Sequence, residues 1–96
     1  MESSSNISFL EDYLGIKFNT CKSSNIVAFG FDPKNNSLWI LFKGEVVYQY
    51  QDQTPEAYDE LCKADSKGSW VHNNLVKNHT KCNKYRIHNK SATATD

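Results

Sequence analysis

This chain of 96 residues has no long apolar run, no close cysteine pair and no net charge, and each absence narrows what it can be. No stretch approaches the ~18 consecutive apolar residues of a membrane-spanning helix. The opening MESSSNISFLED carries neither the basic region nor the apolar stretch of a secretory leader, so a cytoplasmic location is expected, without membrane attachment. Cys21, Cys62 and Cys82 are odd in number and widely spaced, with no pair at metal or redox separation. His72, His79, Cys82 and His88 lie near one another in sequence, yet their spacing is not that of a zinc site. No local signature of nucleophilic catalysis accompanies them, so neither an enzyme nor a bound cofactor is expected.

The zero net charge hides an asymmetry. Residues 1–66 hold five lysines against ten acids, and residues 67–96 hold six cations against Asp96 alone, giving −5 and +5. Such a split marks a basic face turned toward a polyanion, or two solvated faces that attract each other within one fold.

What is present is β-structure. Leu38 to Tyr50 reads as two strands joined at Lys43-Gly44-Glu45, because β-branched and aromatic residues dominate both halves and a glycine with flanking charges interrupts them. Leu38, Ile40 and Phe42 point to one face, Trp39 and Leu41 to the other. Val46, Tyr48 and Tyr50 share a face opposed by Val47, Gln49 and Gln51. Upstream, Val27, Phe29 and Phe31 alternate with Ile26, Ala28 and Gly30, and Asp32 to Asn36 is dense in turn formers. Residues 26–51 therefore form an antiparallel meander, and three strands need a cover.

The cover follows in the chain. Thr54 is an N-cap with Pro55 at the first helical position, and Ala57, Tyr58, Leu61, Cys62 and Ala64 make one apolar stripe over 55–64. Ser66 caps a second helix with Trp70, Val71, Leu75 and Val76 apolar, although Gly68 weakens its start. Lys84-Tyr85-Arg86-Ile87 alternates as a short edge strand. A short N-terminal helix is expected near 8–14, opened by a Ser8/Glu11 capping box and ended by Gly15, with polar, frayed residues before it. The fold class is thus α+β: a three- to four-stranded antiparallel β-meander covered on one face by two short helices, with a short N-terminal helix. The organisation expected is an extension over 1–22, one domain over 23–87 and a disordered tail over 88–96.

The run Ser23-Ser24-Asn25-Ile26, Phe31-Asp32-Pro33, Leu38 to Lys43, Val47-Tyr48-Gln49-Tyr50, Thr54-Pro55-Glu56-Ala57-Tyr58, Ala64 to Ser69 and Lys84-Tyr85-Arg86 resembles the KTSC family. That family is a small domain named for the C-terminus of some lysyl-tRNA synthetases, and it also occurs as short free-standing bacterial and phage proteins. The resemblance covers 23–87, and its synthetase context implies RNA binding. This sequence departs from the pattern in an inserted Asn78 to Asn83, and in Trp70-Val71-His72-Asn73 where the family has Phe-Asn after the Ser-Lys-Gly turn.

Two surfaces carry the functional expectation. The basic set Lys67, Lys77, Lys81, Lys84 and Arg86, with Trp70 and Tyr85 among it, suits a phosphate backbone with exposed bases. Tyr48 and Tyr50 are the second candidate, as a stacking platform for bases. Against this, a sheet so small must bury its more apolar face, which favours both tyrosines as core. The function expected is a non-catalytic binding module for RNA or other nucleic acid. The alternative is a protein-interaction module with Trp70 and Tyr85 as anchors, such as a small phage or bacterial protein that binds or inhibits a host protein.

Overall fold

The computed structural model describes residues 2–86, with side chains from Ile7 onward. Helix α1 (Glu2–Leu14) leads into strands β1 (Asn19–Thr20), β2 (Ile26–Asp32), β3 (Ser37–Phe42) and β4 (Val46–Tyr50). Helices α2 (Pro55–Lys63) and α3 (Lys67–Val71) follow, then a π-helical segment (His72–Val76) and β5 (Cys82–Arg86). The five strands form one sheet in chain order, antiparallel throughout. The α+β meander stands, with five strands among the described residues where three or four were expected. The expected disordered tail over 88–96, with Ile87, His88 and Lys90, lies outside the described residues.

Local chemistry sets most boundaries. The Thr54 hydroxyl accepts from Ala57 N at 3.1 Å and Ser66 accepts from Ser69 N at 3.2 Å, so both expected caps form. Asp32 is buried, and its carboxylate accepts from Lys34 N and the Asn35 amide, which fixes the β2–β3 turn. Gly44 and Glu45 both take positive φ, 92° and 63°, in the three-residue connection from Phe42 to Val46. Gly15, at φ 73°, ends α1 as its sequence indicates.

The N-terminal helix is the main correction. It begins at Glu2 rather than near residue 8, so the serine-rich start is helical. Glu11 does not close a capping box. Its carboxylate accepts from Phe18 N at 2.8 Å, tying the chain beyond Gly15 back to the helix and placing Asn19 opposite Phe29.

Both faces of the sheet are packed. On one, Phe29, Leu38, Ile40 and Tyr50 meet Leu61, Val71 and Leu75 from the C-terminal helices. On the other, Ala28, Trp39, Leu41 and Val47 meet Leu10 of α1 and Phe18. Leu10 is the buried side of α1, whereas Phe9 and Tyr13 stack on each other at 5.7 Å in solvent. The alternation of β2 fails at one place: Ile26 pairs with Phe42 while Ala28 pairs with Leu41, so Val27 is an extra residue in a β-bulge. The bulge puts Ile26 on the face of Phe29, not on that of Ala28.

Candidate functional site

Strand β5 is one of the two edges of the sheet and is exposed along its length, and its register decides which side chains meet. Val46 lies opposite Arg86, Tyr48 opposite Lys84 and Tyr50 opposite Cys82, so these six share a face. On that face the π-helical segment stops short of β5, because His79 takes φ 55° and Thr80 N bonds back to Leu75 O, turning the chain away. The gap is an open groove of about 530 Å³ with Phe42, Tyr48, Tyr50 and Leu75 along its floor and Val76 and Lys84 at its rim. Tyr48 stacks on Tyr50 at 5.8 Å and receives the edge of Phe42 at 5.3 Å.

The two tyrosines differ in role. Tyr50 is core, 4% exposed, and burial, with smaller contributions from Cys82 and Tyr48, pushes its phenol up to about 12. Tyr48 is half-buried and belongs to the groove as much as to the core. The choice between platform and core therefore divides between neighbours two residues apart.

The basic set is only partly brought together. Lys84 and Arg86 are exposed and project on the groove side, and Lys81 adjoins Thr80 of the groove wall. Lys77 follows the π-helical segment as an exposed residue. Lys67 sits elsewhere: its ammonium donates to Cys62 O at 3.0 Å and Ala64 O at 2.6 Å, closing the C-terminal end of α2. Trp70 is half-buried against the helical core. Tyr85 points to the opposite face, where it stacks on Trp39 at 5.7 Å and reaches Gln49. A site combining Trp70, Tyr85 and Lys84 on one surface is not formed. Phe42, Val76 and Thr80, which the sequence did not single out, take those places. Val76 occupies an apolar position of the second helix and is 48% exposed.

A second concavity, of about 490 Å³, opens where the turn before β2 meets the α2–α3 junction. Lys22, Ser23, Asn25, Ser66, Lys67 and Gly68 are among its lining residues, and no apolar side chain lines it. Burial pushes the nearby Cys21 thiol up, with Lys67 opposing the shift. Burial, and then the Cys62 side chain, likewise raise Tyr58, whose hydroxyl accepts from the Asn19 amide. Among the described residues no three His, Cys, Asp or Glu side chains are grouped to hold a metal ion, and no helix is long and apolar enough to cross a membrane.

Comparison with known proteins places this geometry in a family. The KTSC domain model matches residues 22–79, which include the polar concavity and end just before β5. A protein of Tsukamurella paurometabola is 41% identical over 56 residues, covering 58% of this chain and 82% of its own length. The crystal structure of a KTSC domain protein from Yersinia pestis is similar with a TM-score of 0.63 and 29% identity, over 76% of this chain and 99% of that one.

Proposed function

The chain belongs to the KTSC domain family, and from that premise we propose that it is a non-catalytic binding module taking single-stranded nucleic acid, RNA in particular, along the groove between the π-helical segment and β5. The observation that carries this reading is the Tyr48–Tyr50 stack on the groove floor, with Lys84 directly across the strand pair from Tyr48. A half-buried ring offers a face to a base, and cations along the neighbouring edge strand sit where a phosphate backbone would run. The groove floor is too apolar to hold a bare anion and too open to hold a small ligand tightly, whereas a strand of alternating bases and phosphates matches both its floor and its rim.

A titration of labelled single-stranded RNA by fluorescence anisotropy tests this. If Lys81, Lys84 and Arg86 each meet a phosphate, the slope of log K against log salt is about −2, from roughly −0.7 per contact. Tyr48→Ala removes about 1–3 kcal/mol of stacking. A second reading rests on the exposed Val76 beside the apolar floor, which suits an apolar anchor of a protein partner. Affinity for a protein with little salt dependence, and none for RNA, replaces the first reading by the second.

A further inference from the structure

We propose that α1 is a self-association element, whose exposed face docks in the groove between the π-helical segment and β5 of a second copy of this chain. The inference uses the groove without resting on nucleic-acid binding there. Phe9 and Tyr13 are 49% and 76% exposed, and they stack on each other one helical turn apart. Asp12 is exposed three residues after Phe9, so an acid stands on the same helical face as the two rings. From Ile7 to Leu14 the helix has no cation, and Glu11 is engaged by Phe18 N, which leaves Asp12 as the charge beside the aromatic pair. Large apolar side chains on adjoining turns are what a helix presents when it anchors in an apolar groove.

The groove is the complement of that face. Its floor is apolar, Lys84 stands at its rim with Arg86 projecting on the same side, and no acidic side chain lines it among the described residues. Two rings beside an acid thus meet an apolar channel beside cations. No copy can satisfy itself, because Leu10 holds α1 against the face of Trp39 and Leu41 while the groove opens on the face of Tyr50, with the sheet between them. Both halves of the match are carried by one chain, which selects a second copy over an unrelated helix as the occupant. The two patches differ, so the contact is heterologous and repeats from copy to copy as a chain or ring. Two aromatic side chains cover at most roughly 300–500 Å². A standard interface takes roughly 800 Å² from each partner, so the association is weak and concentration-dependent. Its exposed charges make it weaker still in salt.

The test is sedimentation equilibrium of the full chain without RNA, from about 10 μM to about 1 mM protein. In low salt the average mass should rise with concentration past that of two chains, and in about 0.5 M salt it should fall back toward one. The double variant Phe9→Ala with Tyr13→Ala removes the rings at exposed positions and keeps good helix formers, so it should stay monomeric with an unaltered circular dichroism spectrum. Tyr13→Ala alone, at the more exposed of the two positions, should weaken association in the same direction. Lys84→Glu, which spoils the groove, should also be monomeric. Mixed in equal amounts, the double variant and Lys84→Glu hold one intact groove and one intact helix face between them, and they should form a dimer that grows no further. Because no RNA is present, this measurement and the anisotropy titration fail independently. A chain that is monomeric throughout leaves the groove to another partner and overturns the proposal. So do a mass that stops at two chains for the unaltered protein, full association by the double variant, or a mixture that stays monomeric.

Discussion

The two faces of the sheet are packed alike at their centres and differently at the β4–β5 end. On the α1 face, Tyr85 lies over Trp39, and Asn83 and the Tyr85 hydroxyl reach Gln49, whose amide donates to Ser37. That end is covered by a Tyr85 ring that is itself 45% exposed, and the Trp39 indole N–H beneath is buried with no acceptor among the described residues. On the α2/α3 face the same strands present the half-buried Tyr48 and the exposed Lys84 and Arg86 beside an open groove among the described residues. One face uses its edge-strand aromatic to finish a core, and the other leaves its aromatics at the bottom of a groove. Under the proposed function the second face is the binding one, because there the half-buried Tyr48 ring and the exposed Lys84 adjoin one groove.

Neighbouring residues on β3 break this comparison most severely. Ile40 and Leu41 are fully buried on opposite faces, so Ile40→Ala and Leu41→Ala should each cost about 2–5 kcal/mol in urea unfolding. A negligible cost for Leu41→Ala alone would mean that α1 does not form a second core layer. Alkali comes next and acts on the α2/α3 face. Tyr50 is raised to about 12, and Tyr58 is raised too, so the folded chain holds these protons more tightly than the unfolded one does. Their contribution is complete below the ordinary phenol value of 10 and is lost as pH rises toward the folded value, so the urea midpoint should fall between about pH 10 and pH 12. A flat midpoint over that interval contradicts a buried Tyr50.

Much of this arrangement was legible in the sequence, because period-two alternation and turn residues specify hairpins locally. The meander over 26–51, the Thr54-Pro55 and Ser66 helix starts and the basic edge strand all follow from that kind of signal. β1 did not, since two residues, Asn19 and Thr20, show no alternation and owe their place to Glu11 reaching Phe18 N. The bulge at Val27 broke the face assignment of Ile26 because one inserted residue reverses the parity of everything before it. The length of α1 was missed because serines in its first turns are poor helix formers and disguise the start. For the site, Lys84 and Arg86 were legible as exposed charges, whereas Tyr48, which the sequence favoured as core, is half-buried at the groove. The separation of these residues from Tyr85 and Trp70 was not legible, because it depends on tertiary placement: a strand register in one case and core packing in the other.

Smaller effects sharpen the contrast. Tyr85→Ala should cost about 0.5–1.5 kcal/mol from the lost Trp39 stack, with nucleic-acid affinity unchanged, since its ring lies on the face opposite the groove. The pair Lys84→Glu and Arg86→Glu should change stability by no more than about 0.5 kcal/mol, as exposed charges do, while removing RNA binding. Stability that falls by several kcal/mol in the charge-reversed protein would show these side chains to be structural.

The most direct measurement is the RNA affinity of Tyr48→Ala beside that of Tyr85→Ala, taken by anisotropy in one buffer on proteins whose folding is confirmed by circular dichroism. Two edge-proximal aromatics on opposite faces are thereby compared with charge and salt held constant. The account predicts that Tyr48→Ala loses roughly 5- to 150-fold in affinity, the equivalent of about 1–3 kcal/mol of base stacking, while Tyr85→Ala binds as the unaltered protein does. Equal losses in both variants, or a loss in Tyr85→Ala alone, would contradict it.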